Sequence, residues 1–289
     1  MSEAAPCAAA SVARGEPLAG TASRIDHWLL VEYRGAWARD VLGGCRLDER
    51  VKAHLRAQLE ALSRSRLLFI RRRARRADPL LRVYFAASTE RAPILRGLEL
   101  TRYEELLDVD FASGRAGEPV NSPLLVVCTH GKRDRCCARY GRALYDRLRA
   151  EPEGDWVWQS THVGGDRFAG NVVCLPEGLY YGRVDADGVR SLLDRYRAGE
   201  VWLEGYRGRS CYPFAIQAAE RAIRAETGIL ALSALELEGV ERAGNLWSVR
   251  FHAPGGESYA VEVEEELGKP ARLTCGAPAD QPPRRFTAR

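Results

Sequence analysis

The stretch Cys128-Thr-His-Gly-Lys-Arg-Asp-Arg-Cys-Cys137 carries a thiol at each end of a polar loop, and the apolar segment Pro123-Leu-Leu-Val-Val127 leads into it. A second loop, Ser160-Thr-His-Val-Gly-Gly-Asp166, follows the strand-like segment Asp155-Trp-Val-Trp-Gln159 and offers an imidazole and a carboxylate. Four donors on two short loops, each loop after an apolar strand, are typical of a metal or iron–sulfur site. The pattern predicts an α/β fold whose loops carry this centre.

Strand and helix patterns alternate around these loops. The predicted elements are a strand at 123–128, a helix at 138–148, a strand at 155–159, a hairpin at 171–184 and a helix at 185–196. This order fits a thioredoxin-like α/β layer. The preceding residues repeat it more weakly, with a strand at 27–33, a helix at 48–62 and strands at 67–70 and 80–86. The chain is therefore predicted to contain two related halves.

Four stretches of the chain resemble the sucrase/ferredoxin-like family. They are the two loops already quoted, the second continuing to Asn171, together with Leu179-Tyr-Tyr-Gly-Arg183 and Gly205-Tyr-Arg-Gly-Arg-Ser210. The resemblance implies a thioredoxin-like ferredoxin fold and a [2Fe-2S] cluster held by two Cys and two His. Carried over, Cys128 and Cys137 fall on the cysteine ligands and His162 on the first histidine. Where the family has its second histidine, this chain has Asp166.

The fourth ligand is therefore the open position of the predicted site. A carboxylate is an anionic and harder donor than imidazole, and Asp166 is expected either to ligate iron or to cap the turn that begins at Arg167. Folding could also bring another donor to this position. The alternative donors are Cys136, His130, Cys211 and Cys275.

The predicted organisation follows from these elements and from the resemblance. The expected segments are a disordered leader at 1–21, a degenerate thioredoxin-like half at 22–119, a thioredoxin-like [2Fe-2S] ferredoxin domain at 120–227, and a small β appendage with an extended tail at 228–289.

Composition excludes several classes of protein. The 289 residues are 46% hydrophobic and 28% charged, with a formal net charge of +4. No nucleic-acid-reading motif accompanies the basic residues, and no apolar run has the length of a membrane span, so neither nucleic-acid binding nor membrane insertion is expected. The first 21 residues lack the basic start of a secretory signal. We therefore expect a reducing cytoplasm, where clustered cysteines serve as metal or redox sites.

The expected function is that of an electron carrier rather than an enzyme. The chain has no dinucleotide fingerprint and no flavin site, so its electrons are expected from a separate reductase. The alternative is a zinc-binding or clusterless thioredoxin-like interaction module, because two Cys, one His and one Asp also suit tetrahedral zinc. Sucrose hydrolysis is not expected, since no pair of carboxylates stands out as a glycosidase site. The sequence favours no particular oligomeric state.

One charge run remains, Arg71-Arg-Arg-Ala-Arg-Arg76. Such runs are usually solvated loops. The alternative interpretation is a docking patch for an acidic redox partner, because complementary charge raises encounter rates.

Overall fold

The structure is a computed structural model that describes residues 5–72 and 79–289. Residues 73–76 of the arginine run therefore lie outside the described residues. The α-helices of the described ranges are α1 (Cys7–Ala13), α2 (Glu49–Glu60), α3 (Arg135–Ala150), α4 (Ala186–Arg197) and α5 (Phe214–Thr227). Short 3-10 helices occupy Tyr103–Asp108, Pro152–Trp156 and Asp166–Phe168. No helix in these ranges combines the length and apolar character needed to cross a bilayer.

The strands complete the set of elements. They are β1 (His27–Glu32), β2 (Ser65–Arg71), β3 (Leu81–Ala87), β4 (Ile94–Leu100), β5 (Glu118–Pro119), β6 (Leu124–Cys128), β7 (Val157–Ser160), β8 (Val172–Leu175), β9 (Leu179–Tyr181), β10 (Tyr206–Arg209), β11 (Glu236–Ala243), β12 (Leu246–His252), β13 (Ser258–Leu267) and β14 (Arg284–Ala288).

The chain divides into two compact units. Unit A consists of residues 25–163 and 172–178, and unit B consists of residues 1–24, 164–171 and 179–289. This division follows spatial contacts rather than sequence blocks. The segment boundaries predicted at residues 22, 120 and 228 stay a prediction.

Unit A is built on a mixed sheet with the strand order β8-β6-β7-β2-β1-β3-β4-β5. Strand β1 runs parallel to β2, which follows helix α2, and antiparallel to β3. In the same way, β6 runs parallel to β7, which follows helix α3, and antiparallel to β8. Strands β2 and β7 join these two sets antiparallel to each other. The repeated β–α–β–β order agrees with the two related halves predicted from the sequence.

Strand β6 is the central strand of the second half. All five of its residues are buried, as expected for a strand with neighbours on both edges and both faces covered. In register, Cys128 at its end lies opposite Ser160 at the end of β7. Because the two strands are parallel, the loops that follow them emerge at the same edge of the sheet.

Carboxylate side chains cap the starts of α2 and α4. The side chain of Asp48 accepts a hydrogen bond from the backbone N–H of Arg50, 2.8 Å away, at the start of α2. The side chain of Asp185 accepts one from the backbone N–H of Gly188, 2.9 Å away, at the start of α4. Each cap satisfies a backbone donor that has no partner within the helix.

Unit B contains the β9–β10 pair and a second, four-stranded antiparallel sheet in the order β11-β12-β13-β14. Helix α5 packs its apolar face, including Ile216 and Ile223, into a core with Val249, Phe251 and Val263 of this sheet. A large mixed sheet, a second small sheet and covering helices confirm the predicted α/β class with a small β appendage.

Two elements differ from the sequence predictions. Residues Cys7–Ala13 form helix α1 with Cys7, Ala8 and Ser11 buried, whereas residues 1–21 were predicted to be a disordered leader. Tertiary contacts explain this order, because Glu16 just after α1 accepts a hydrogen bond from Ser11 and pairs with Arg167 at 2.7 Å. The extended tail predicted for the C-terminus also contains strand β14, which pairs with β13.

A buried ion network stabilises unit B between β10 and α5. The carboxylate of Glu220, fully buried, pairs with Arg224 at 3.0 Å and with Arg209 at 3.4 Å. Its other oxygen accepts a hydrogen bond from the hydroxyl of Tyr206 at 2.8 Å. Burial alone lowers the pKa of Arg209, but the neighbouring Glu220 raises it above its ordinary value. Both guanidinium groups therefore pair with the same buried carboxylate.

We expect Glu220→Gln to lower the free energy of unfolding by about 3 kcal/mol, because it removes the buried negative charge that pairs with Arg209 and Arg224. Urea unfolding followed by circular dichroism measures the change. The control is Glu241→Gln, since Glu241 forms an exposed pair with Arg250 at 3.2 Å and should cost less than about 1 kcal/mol. Equal losses in the two variants would contradict the role given to Glu220.

Candidate metal centre

Three of the predicted ligands converge at the carboxyl edge of strands β6 and β7. The Sγ atoms of Cys128 and Cys137 and a ring nitrogen of His162 all lie within 4.8 Å of one another. Both cysteines are 1% exposed, whereas His162 is partly exposed. All three belong to unit A. Two soft thiol donors and an imidazole in so small a volume are a donor set for zinc or for iron.

Helix α3 brings the second thiol to the first. The helix begins at Arg135, where the side chain of Asp134 accepts a hydrogen bond from the backbone N–H of Cys136 at 2.8 Å. The apolar spacing of later residues predicts a helix start at Ala138, which is three residues too late because that spacing does not include the Asp134 cap. Cys137 consequently lies in the first helical turn.

Gly141, one turn after Cys137, lets the helix pack directly on the end of β6. A Cβ atom built on Gly141 would overlap the carbonyl oxygen of Cys128 and lie 3.0 Å from its carbonyl carbon. No side chain fits between the helix and the strand at this point. Gly141 is not among the residues predicted for the site, although a glycine inside a helix of good helix formers is itself a sign of close packing.

Hydrogen bonds fix the two loops against each other and against β2. The backbone N–H of Thr129 donates to the carbonyl of Ser160 at 3.1 Å, and the Ser160 hydroxyl donates to the carbonyl of Val127 at 3.2 Å. On the other side, the backbone N–H of Thr161 donates to the carbonyl of Phe69 at 2.9 Å. His162 therefore follows a segment that is held on both sides.

The electrostatics of the site favour a thiolate on Cys128. A hydrogen bond from Cys137 lowers the pKa of the Cys128 thiol well below its usual range, and this outweighs burial, which raises it. A hydrogen bond and positive charge from His162, and the backbone N–H of His130, lower it further. A buried thiolate with several donors around it is the form that ligates a metal.

His130 and Trp37 form an aromatic side of the site. The rings of Trp37 and His130 meet edge to face with centroids 6.0 Å apart, and His130 is 1% exposed. Burial lowers the pKa of His130, with the nearby charge of His162 acting in the same direction. Its imidazole is therefore neutral near pH 7. No local sequence pattern indicates that Trp37, from the loop after β1, reaches this loop.

The remaining predicted donors do not belong to this group. Within unit A, the group formed by Cys128, Cys137 and His162 includes neither His130 nor Cys136 among the described residues. Cys211, Cys275 and Asp166 belong to unit B. There the Sγ of Cys275 lies 3.5 Å from the Sγ of Cys7.

Asp166 opens the short 3-10 helix Asp166–Phe168 and is 2% exposed. The backbone N–H of Ala169 donates to its carbonyl oxygen at 3.1 Å, and the preceding Gly165 is left-handed with φ 80°. The residue is therefore the first of the turn, close to the capping position that the sequence offered as its other role. Its assignment as the fourth ligand stays a prediction.

We expect Gly141→Ala to displace α3 from the end of β6 and to lower the free energy of unfolding by about 1–3 kcal/mol, because the added methyl meets backbone atoms that cannot rotate away. Chemical unfolding measures the loss, and the reactivity of the cysteines toward a thiol reagent reports the opening of the site. Arg147→Ala, an exposed change in the same helix, is the control. A Gly141→Ala variant as stable as the control would disprove the tight contact.

Comparison with known proteins gives one family. Residues 18–208 match the family described as sucrase/ferredoxin-like. A thioredoxin-like [2Fe-2S] ferredoxin from Aquifex aeolicus, solved as a cysteine-to-serine variant, has 17% identity and a TM-score of 0.27, over 30% of this chain and 99% of that protein.

Curated relatives are similar over shorter stretches. Altered inheritance of mitochondria protein 32 of Meyerozyma guilliermondii is 32% identical over 126 residues, which are 40% of this chain and 43% of that protein. The protein of the same name in Eremothecium gossypii is 35% identical over 106 residues, 32% of this chain and 34% of that protein. The chain thus spans less than half the length of these relatives. Since the family match takes in residues 18–208, the chain belongs to the sucrase/ferredoxin-like family.

Proposed function

We propose that this protein binds a [2Fe-2S] cluster through Cys128, Cys137 and His162 and acts as a one-electron carrier. The observation that carries the proposal is the convergence of two buried thiols and one imidazole within 4.8 Å at one edge of the sheet. Membership of the sucrase/ferredoxin-like family supports the same cofactor.

The chain's own residues have distinct roles in this proposal. Cys128 is prepared as a thiolate by the hydrogen bonds it accepts, and Cys137 is placed on the first turn of α3. His162, the most exposed of the three, contributes a neutral donor, which leaves the centre less negative than four thiolates would. When bound, such a cluster supplies reversible one-electron transfer, at a potential that the balance of imidazole and thiolate ligands raises or lowers.

Asp166 is our proposed fourth ligand. Support comes from its position four residues after His162, where the family resemblance has a second histidine. An anionic oxygen donor in place of a neutral imidazole would add negative charge and lower the potential relative to a two-Cys, two-His site.

The last two parts of the proposal are the electron donor and the cellular compartment. Without a dinucleotide or flavin motif, the carrier takes electrons from a separate reductase. The buried Cys128 and Cys137 lie together in unit A, and clustered cysteines that serve as metal or redox sites support our proposal of a reducing cytoplasm.

Zinc is the second candidate, and one observation favours it. All three donor atoms lie within reach of a single ion, since tetrahedral zinc with Zn–S bonds of about 2.3 Å sets sulfur ligands roughly 3.8 Å apart. A zinc protein would be a redox-inactive binding module. Iron, acid-labile sulfide and zinc assays on anaerobically purified protein, together with absorption and EPR spectra, distinguish the two metals.

The ligand assignment predicts that Cys128→Ser and Cys137→Ser each abolish the cluster, because each removes one of the two thiols whose Sγ atoms lie within 4.8 Å of each other and of the His162 ring nitrogen. Visible absorption and iron content provide the measurement. Cys174→Ser is the matched control, since Cys174 lies fully buried in β8 and burial raises the pKa of its thiol well above the ordinary value. Full iron and sulfide content in either of the first two variants would exclude that cysteine as a ligand.

Asp166 is tested by two substitutions. If it ligates iron, Asp166→His should restore the two-His pattern, raise the midpoint potential and change the visible spectrum, because one negative charge leaves the ligand set. Asp166→Ala should make the cluster labile. Spectroelectrochemical titration measures both effects. If both variants keep the wild-type spectrum, Asp166 is a turn residue, and alanine then costs only about 1 kcal/mol of stability.

A further inference from the structure

Helix α3 presents an arginine face that the proposed function does not use. Arg135, Arg139, Arg142 and Arg149 follow one another at spacings of four, three and seven residues, which places them on one side of the helix. The first three are exposed, and the opposite side of the helix buries Leu144 and Leu148. Five basic residues and a single acid, Asp146, make α3 strongly cationic.

The end of β2 extends this face. The Arg71 guanidinium lies 4.0 Å above the ring of Trp37, and the Arg72 guanidinium lies 3.9 Å above the ring of Trp158. Burial lowers the pKa of Arg71, and the like charge of Arg142 lowers it further, which places these two cations near each other. Burial also lowers the pKa of Arg72, and the like charge of Arg149 lowers it further, so these two cations lie near each other as well. Indole rings thus hold two arginines in fixed positions beside those of α3.

Opposing charge on this face is sparse. Arg139 and Arg142 form no ion pair with an acidic side chain in the part of the chain that the structure describes. Arg149 pairs with Asp155 at 3.4 Å and is the least available member. A stable protein gains nothing from collecting like charges, since each adds repulsion. Arg139 and Arg142 are therefore available to an external anion.

The face adjoins the candidate metal centre. Arg139 is two residues after Cys137 on the same helix, and Trp37, beneath Arg71, touches His130, whose backbone N–H contacts Cys128. A partner seated on these arginines would therefore lie next to the ligand loops. Redox partners form small, weak interfaces and depend on charge to find the correct orientation.

We propose that the α3 face, formed by Arg71, Arg72, Arg135, Arg139, Arg142 and Arg149, docks an acidic face of the redox protein that exchanges electrons with this chain. The inference rests on the proposed function and adds the chemistry of the partner. Basic residues on one helix also suit nucleic acid, but the aromatic rings beneath Arg71 and Arg72 are covered by the guanidinium groups and offer no base-stacking surface.

The test uses the full chain and, as the acidic probe, a purified flavodoxin with a strongly negative net charge. Binding of the oxidised probe is measured by isothermal titration calorimetry at increasing salt, which needs no cluster. Arg139→Glu/Arg142→Glu should weaken binding about tenfold or more at low salt, and Arg139→Gln/Arg142→Gln should have a smaller effect in the same direction. The matched control is Arg56→Glu/Arg190→Glu, which makes the same charge change at exposed sites on α2 and α4 and should change binding less than about twofold.

A second measurement follows electron transfer where the cluster is present. Stopped-flow reduction by flavodoxin hydroquinone should slow about tenfold or more in the α3 variant, while reduction by the cationic methyl viologen radical should not slow. A protein without a cluster would refute the proposed function, and the calorimetric result would still decide the docking surface. Equal losses in the α3 and control variants, salt-independent binding, or tighter binding of a 20-base-pair DNA duplex through the same arginines would overturn the proposal.

Discussion

The contact between helix α3 and the end of strand β6 is the constraint on which the candidate site depends. Because Gly141 has no side chain, the helix reaches the backbone of Cys128. The same close packing brings the Sγ of Cys137 to within 4.8 Å of the Sγ of Cys128. The parallel pairing of β6 and β7 then determines where His162 lies, because the Thr129–Ser160 hydrogen bond of 3.1 Å holds both loop starts together. Three backbone elements therefore bring the two thiols and the imidazole together, which is the preorganisation that the proposed ligand set requires.

The two halves of unit A have the same order of strands and helix but carry different residues in their loops. After β6 and β7 the loops carry donors, whereas after β1 the corresponding loop carries aromatic residues. Tyr33 stacks on Phe69 with ring centroids 4.6 Å apart, and Trp37 reaches across to His130. The first half thus supplies aromatic surroundings for the loops of the second half. Apolar surroundings make an uncompensated thiolate costly, and the hydrogen bonds to Cys128 offset that cost.

Sequence patterns predicted the α/β class, because it depends on local periodicity. They also singled out Cys128, Cys137 and His162, whose donor atoms the structure places within 4.8 Å of one another, while their role as ligands stays a prediction. They failed where tertiary contacts decide. Helix α1 is composed mainly of small residues and has no apolar stripe to read; its order comes from residues far along the chain. The role of Trp37 depends on the pairing of β2 with β7, which no local pattern encodes. The fourth ligand is difficult to predict for the same reason, because the distance between a loop residue and a thiol far along the chain depends on packing and not on sequence spacing.

The arginines of α3 raise the question of whether they serve the centre or a partner. Two unit charges about 10 Å apart in water interact by only about 0.4 kcal/mol, and 0.1 M salt screens charges beyond about 10 Å. Exposed side chains such as Arg139 and Arg142 therefore have a small effect on a buried centre. Against a partner that covers them and excludes water, the same charges act at short range and with less screening. The solvent exposure of these arginines is therefore the physical reason to assign them to docking. The charge on Cys128 is controlled instead by the hydrogen bonds around it and by the buried start of α3.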